Sequence, residues 1–264
     1  MDDTLLLEAP IANRTVSAGM AAAVAAGTLV ALAPGRWQWS PEPTATSVWI
    51  RVSHDASRHC RFYSEVMFRH VYQESLVPAG CAACFKVKVS PRSLRELVAL
   101  REMAKTLPYT HKCGLDANTV VTQGLYGGYF YLNSLDAARA AFRQIRQAVD
   151  ADSKLGPQVS VAIKRGCTHY ELKCGPSDQY RFLPEQAGIE AALRSRIEPA
   201  PKLPSPSQSA QKMQTFLLWI ETAYRLGDET YRDFTGGKRL FSETVKYDPE
   251  GQDAPAGANG WARS

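Results

Sequence analysis

Two cysteines separated by two residues are the most specific chemical feature of this chain. Cys81 and Cys84 follow the sequence Pro-Ala-Gly and lead directly into a pattern that is typical of a β-strand. Two thiolates at this spacing can bind one tetrahedral metal ion in a tight turn. A thioredoxin-type pair would instead open a helix after a strand. The pair therefore predicts a metal-binding knuckle on a hairpin.

Further cysteines are the predicted companions of this pair, because a tetrahedral site needs four ligands. Cys113, in the sequence His-Lys-Cys-Gly, would supply a second knuckle, and Cys60 is the predicted fourth ligand. Cys167 and Cys174 are alternatives for the fourth position, or they form a second site with a histidine, His169. Zinc is the predicted metal and an iron–sulfur cluster is the alternative, although the short C-x2-C-x2-C run of small ferredoxins is absent. The competing interpretation is that these cysteines are small buried hydrophobic residues.

A stretch that reads Tyr-Gly-Gly-Tyr-Phe-Tyr-Leu offers a second kind of chemistry. If it is a strand, alternation places Tyr129 and Tyr131 on the same side of the sheet. Aromatic side chains on a middle strand are how RNA-binding sheets stack bases. Lys86, Lys88 and Arg165 are expected near these rings, where cations would hold phosphates. The competing interpretation is two tyrosines packed beneath another part of the chain.

The elements that would position these residues follow the order strand, helix, strand, strand, helix, strand. They are predicted at residues 85–89, 92–107, 119–122, 126–132, 135–149 and 158–164. This is the order of the ferredoxin-like split βαβ sandwich, about residues 85–164, in which two helices cover one face of an antiparallel sheet. The predicted fold class is therefore α+β, with a cysteine-rich metal-binding insertion. Three other elements are predicted: a strand at 46–52, a short helix at 62–72, and a strand at 168–172 paired with the one before it.

Composition separates this core domain, residues 46–198, from four other regions. They are an Ala-rich N-terminal leader at 1–45, a Pro/Ser linker at 199–209, a C-terminal helical segment at 210–246 and a disordered tail at 247–264. The C-terminal segment contains an amphipathic helix over residues 210–226. Its predicted apolar stripe consists of Met213, Phe216, Leu217, Ile220 and Tyr224.

Bulk composition is ordinary for a soluble globular protein, with 45% hydrophobic and 22% charged residues. The net charge of +5 favours an anionic partner. The first ten residues carry three acids and no base, unlike an export signal, and no strongly apolar run is long enough to span a membrane. The sequence thus predicts a cytoplasmic protein with reduced cysteines and no membrane partner.

Catalytic signatures are scarce, which favours a protein that is not an enzyme. The GxSxG elbow, the phosphate loop, the dinucleotide fingerprint and the HExxH motif are all absent. The predicted function is that of a zinc-stabilised protein that binds single-stranded nucleic acid, RNA included, or belongs to a nucleic-acid-handling complex. One alternative is an iron–sulfur or thiol redox enzyme, with Cys167 and His169 near the reactive centre. The other is a structural subunit that binds a protein partner through the C-terminal helix.

Overall fold

The computed structural model describes residues 3–41, 47–52, 59–116, 124–201 and 206–241. Within these residues the strands are β1 (Pro10–Ile11), β2 (Arg14–Thr15), β3 (Leu29–Ala33), β4 (Arg36–Trp39), β5 (Trp49–Val52), β6 (Phe85–Ser90), β7 (His111–Leu115), β8 (Tyr126–Leu132), β9 (Ser160–Arg165) and β10 (Ile197–Glu198). The α-helices are α1 (Asp3–Glu8), α2 (Val16–Ala25), α3 (Leu94–Ala104), α4 (Leu135–Ala151), α5 (Thr168–Cys174), α6 (Gln186–Arg194) and α7 (Gln208–Arg225). A π-helix spans Phe62–Val71, and 3-10 turns lie at Ala79–Cys81, Ser177–Gln179 and Glu229–Phe234.

A five-stranded antiparallel sheet organises the larger part of the molecule. Its strand order is β5-β7-β8-β6-β9, and the chain visits β6, α3, β7, β8, α4 and β9 in turn. Two smaller sheets, β10-β4-β3 and β1-β2, combine strands from the first 40 residues with β10, which pairs parallel to β4. The mixed α+β class predicted from the sequence is therefore confirmed.

Two local predictions around this sheet are wrong, and a third cannot be compared. Residues 111–115, expected to be a polar loop, form β7, because His111, Cys113 and Leu115 alternate into the core. Residues 168–172, expected to be a strand, lie in α5, since Gly166 adopts a φ of +66° and turns the chain out of the sheet. The strand predicted at 119–122 falls outside the described residues.

One face of the sheet, here called the helix face, carries the main hydrophobic core. Side chains of β6, β7 and β8 that point to this face pack against α3, α4 and α7. The two helices next to the sheet begin where serine side chains cap them: Ser93 accepts from the Glu96 amide at 3.3 Å, and Ser134 from the Ala137 amide at 3.1 Å. The apolar side chains between the sheet and these helices form one continuous hydrophobic core.

The C-terminal helix α7 belongs to this core, but it is rotated relative to the predicted stripe. Trp219 is fully buried and its indole Nε1 donates to the Val48 carbonyl at 2.9 Å. Met213 is 59% and Leu217 56% exposed, although both were predicted to lie on the buried side. The reason is that Trp219, left out of the predicted stripe, is the larger side chain and fixes the rotation of the helix. A protein partner on the outward side of α7 stays a prediction.

A second hydrophobic core lies between the N-terminal residues, the π-helix and α6. Helix α2 crosses the π-helix closely, since a Cβ atom on Gly19 would lie 2.7 Å from the Val71 Cα atom. Residues that were predicted as a leader thus contribute Leu6, Val16 and Met20 to a packed core. Across the described part of the chain, no helix combines the length and apolar character needed to cross a bilayer.

Candidate functional site

The second face of the five-stranded sheet carries polar, cationic and aromatic side chains. The strand register places Lys86 opposite both Tyr131 and Lys164, and Lys88 opposite Tyr129. The same side of the sheet continues across β7 to the edge strand β5. We call this surface the lysine face; its residues are Trp49, Arg51, Lys86, Lys88, Lys112, Tyr129, Tyr131 and Lys164.

Lys86 lies deep in the lysine face, only 6% exposed, and its ammonium meets a thiol. Its Nζ donates to the Cys167 Sγ at 3.0 Å and lies 5.4 Å from the centre of the Tyr131 ring. Burial alone would lower the pKa of Lys86, but the charges of Cys167, Tyr131 and Cys84 raise it above its ordinary value. Lys86 therefore remains an ammonium, held by sulfur and a ring.

Lys112 lies nearer the edge of the face, between two aromatic rings. Its Nζ is 3.7 Å from the centre of the Trp49 ring and 5.0 Å from that of Tyr129. Burial, followed by the charges of Lys86 and Arg51, lowers the pKa of Lys112 to about 8. Within the described residues no carboxylate forms an ion pair with Lys112 or with the exposed Arg51. This edge therefore carries positive charge that is incompletely compensated.

A carboxylate does neutralise the middle of the lysine face. Asp116 pairs with Lys88 at 3.5 Å and accepts a hydrogen bond from the Tyr129 hydroxyl at 2.5 Å. Tyr129 is only 6% exposed and also meets Trp49 edge to face, with ring centres 5.7 Å apart. Of the two tyrosines predicted to stack bases, Tyr129 is thus closed in, while Tyr131 is partly exposed.

Arg165, the fifth residue predicted for nucleic-acid contact, lies apart from the lysine face. It is paired with Phe85 in the register, so its side chain belongs to the opposite parity of the strand. Its guanidinium donates to the carbonyls of Ala82 at 2.9 Å and Ser177 at 3.0 Å. Arg165 therefore connects the segment next to Cys84 with the turn at Ser177 through these two hydrogen bonds.

The structure does not gather the four cysteines predicted to bind zinc. Cys113 is 1% exposed and lies on the helix face, whereas Cys81 packs with Phe68 and Tyr170 in a separate apolar cluster. Burial raises the pKa of both thiols, that of Cys113 to about 12. Cys60 is exposed at the start of the π-helix segment. Among the described residues no three His, Cys, Asp or Glu side chains are grouped as metal ligands, so zinc and an iron–sulfur cluster both stay predictions.

The turn that carries Cys81 is anchored by a buried carboxylate. Glu190 in α6 accepts hydrogen bonds from the Ala79 amide at 2.7 Å, the Gly80 amide at 2.8 Å and the Tyr72 hydroxyl at 2.9 Å. These bonds connect the second core to the cluster around Cys81. The Cys-x-x-Cys turn is therefore fixed by hydrogen bonds to protein groups.

His169 flanks the buried lysine from α5. Its ring lies 5.4 Å from that of Phe68 and 4.3 Å from that of Tyr170, and its Nε2 is 3.4 Å from the Ser64 Oγ. Burial, then the charges of Lys86 and Arg69, lower its pKa to about 4. His169 is therefore neutral at physiological pH.

Several residues of this region were not predicted to act together. Lys112 was assigned to a loop, Glu190 carried no motif, and Cys167 was considered as a metal ligand, as a redox partner of His169 or as a small buried residue, but not as a partner of Lys86. In the strand predicted at 46–52, alternation places Trp49 and Arg51 on one side, and this was the signal in the sequence that these two residues lie together.

Comparisons of the chain with models of protein families, with curated proteins and with solved structures find no match. The chemistry of the lysine face therefore rests on its own geometry.

Proposed function

We propose that the lysine face binds single-stranded nucleic acid at the edge formed by Trp49, Arg51 and Lys112. The observation that carries the proposal is the environment of Lys112, an ammonium between two aromatic rings with no carboxylate paired to it in the described part of the chain. Burial is the main cause of the lowered pKa of Lys112, and the positive charges of Lys86 and Arg51 lower it further. A bound anion would reduce the repulsion among the positive charges of Lys112, Lys86 and Arg51.

The edge also presents an aromatic ring and a cation that solvent can reach. Trp49 is partly exposed and Arg51 is exposed, so a phosphate and a base can approach them from solvent. Cations that hold phosphates beside rings that stack bases are the usual composition of a single-strand surface. The proposed nucleic-acid contact is therefore made by Trp49 and Arg51 and not by Tyr129 and Lys86, which are buried. Lys88 is already paired with Asp116.

We further propose that residues 85–164 form a ferredoxin-like split βαβ sandwich. In support, β9-β6-β8-β7 is the strand order of that fold, with all neighbours antiparallel and α3 and α4 on one face. Strand β5 adds a fifth strand beside β7 and brings Trp49 and Arg51 to the edge.

Fluorescence anisotropy with a labelled single-stranded oligonucleotide, (dT)12 and its RNA counterpart (U)12, tests the binding proposal. Affinity should fall steeply with salt, and Arg51→Ala should reduce the salt slope by about 1, as expected for one lost phosphate contact. Affinity should also fall as pH rises through about 8, where Lys112 loses its proton. In Lys112→Met this pH dependence should disappear.

Arg139→Ala is the matched control, because it removes one positive charge from the opposite side of the molecule. Arg139 lies on α4, 59% exposed, and is paired only with the exposed Asp136 at 3.2 Å among the described residues. If Arg139→Ala weakens binding as much as Arg51→Ala, the attraction is a general charge effect and the proposed edge is wrong. Absence of binding at low salt would also refute the proposal.

A further inference from the structure

Strand β9 forms one edge of the five-stranded sheet, and its outer side is open. Its register with β6 covers all six residues of the strand without a bulge. The other sheet edges are shorter or less regular: β5 has four residues, β10 has two, and β3 is interrupted by a bulge between Ala31 and Ala33. In the described part of the chain, β9 is therefore the longest regular edge strand.

The backbone groups on the outer side of β9 belong to alternate residues. The Gly166 amide donates to the Cys84 carbonyl at 2.8 Å, and along the antiparallel ladder it is therefore the even-numbered residues of β9 that bond to β6. Val161 and Ile163 direct their amide and carbonyl groups away from β6. Within the described residues no hydrogen bond to these outward groups is formed. An edge of this kind is a template for a further strand.

Lys164 is a cation on this edge, and its charge is compensated within the chain. Charged side chains, lysine above all, discourage strand pairing at an open edge. The Lys164 Nζ, however, donates to the Thr168 Oγ1 at 2.9 Å and to the Glu171 carboxylate at 2.7 Å, both on α5. Because a carboxylate already holds this ammonium, it opposes the approach of a second strand only weakly.

The side chains of β9 are complementary to those of a second β9 that runs antiparallel to it. If Ala162 lies opposite Ala162 of the second copy, the outward backbone groups of Val161 meet those of Ile163, and Ser160 lies opposite Lys164. The apolar pairs extend the core of the helix face, against which Val161 and Ile163 already pack. The two Lys164 side chains lie at opposite ends of the pair, whereas parallel pairing in register would bring them together.

A hollow on α4 adds contact surface beside β9. It has a volume of about 590 Å³ and is lined in part by the half-buried ring of Phe142. Arg146 in its wall donates to the Val159 carbonyl at 2.6 Å, which places the hollow next to the start of β9. A specific interface buries about 1,000 Å² or more in total, so the surface of α4 is needed in addition to the paired strands.

We propose that the chain forms a dimer through β9, in which the two strands pair antiparallel about a twofold axis at Ala162. The two five-stranded sheets then become one continuous sheet, with both lysine faces on the same side. Each copy contributes the same residues, as a twofold interface requires. The interface is independent of nucleic-acid binding, because β9 and β5 are opposite edges of the sheet.

Sedimentation velocity of the full chain tests the proposal, and from about 1 to about 100 μM it should show a dimer that forms as concentration rises. Ala162→Glu should weaken the dimer by about tenfold or more, because two carboxylates then oppose each other at the axis. Ala162→Lys should weaken it as well, through two opposed ammonium groups. An equimolar mixture of the two variants should recover the dimer, since a carboxylate then faces an ammonium.

Ala21→Glu is the matched control, because it adds the same charge at an exposed position of α2, and it should leave the dimer unchanged. Ala162 is exposed, so its variants should fold, which circular dichroism checks. If only one of them folds, its comparison with Ala21→Glu still decides. A wild-type chain that stays monomeric, or a dimer that Ala162→Glu and Ala21→Glu weaken equally, would overturn the proposal. Two folded variants whose mixture stays monomeric would refute the axis at Ala162.

Discussion

The two faces of the five-stranded sheet are made by the same strands but have opposite chemistry. On β8, Phe130 is fully buried under the helices, while its neighbours Tyr129 and Tyr131 point to the lysine face. The contrast extends to thiols: Cys113 is enclosed by apolar side chains, and Cys167 meets an ammonium. Cysteines of this chain therefore have different environments on the two sides of the sheet.

Truncation of Phe130 should have the largest effect on stability, because it leaves a cavity in the fully buried core of the helix face. We expect Phe130→Ala to lower the free energy of unfolding by about 3–5 kcal/mol, measured by urea denaturation. Met213→Ala, at an exposed position of α7, should change it by less than about 0.5 kcal/mol. A comparable loss in both variants would mean that α7 packs with the rotation predicted from the sequence.

Cys113→Ser should give an intermediate effect and tests whether Cys113 belongs to the core or to a metal. A hydroxyl in this apolar site should cost about 1–3 kcal/mol of unfolding free energy. The zinc content of the purified protein should be the same for Cys113→Ser and the wild type. A drop in bound zinc in the variant would restore the predicted ligand role of Cys113.

Local patterns in the sequence were sufficient for much of the helix face. Capping serines, helical periodicity and alternation in β6 and β8 gave the order of elements and placed Lys86, Lys88, Tyr129 and Tyr131 on a common side. These signals act over a few residues, so a single sequence contains them. The predicted alternation in β6 and β8 therefore agrees with the structure, whereas Arg165 on β9, predicted on the same side, lies on the other.

The site itself depends on contacts between residues that are distant in the chain. Lys86 and Cys167 are 81 positions apart, and Glu190 meets the Cys81 turn from 110 positions away. No local spacing contains such a contact. Strand β7 was missed for a different reason: its alternating residues include a histidine and a cysteine, which indicated a polar loop with Cys113 as a metal ligand, although both side chains are buried.

The last effect that separates the two faces is confined to acidic pH and comes from the titration of His169. Its pKa is about 4 in the folded chain against an ordinary 6.5, so between these values the unfolded chain binds a proton that the folded chain does not. The contribution of His169 to stability is therefore complete above pH 6.5 and is lost as pH falls to about 4. The helix face supplies no corresponding loss from Cys113, because its thiol, whose pKa burial raises to about 12, stays protonated throughout this pH range.

Replacement of His169 by Gln removes this proton uptake and keeps a polar side chain of moderate size. The difference in unfolding free energy between wild type and His169→Gln should shift in favour of the variant as pH falls from 6.5 to 4. Leu172→Gln, at an exposed position of the same helix, should show a constant difference over that range. If His169→Gln also gives a constant difference, the imidazole is protonated as easily in the folded chain as in the unfolded one. Neither burial nor the charge of Lys86 would then lower the pKa of His169 in the folded chain.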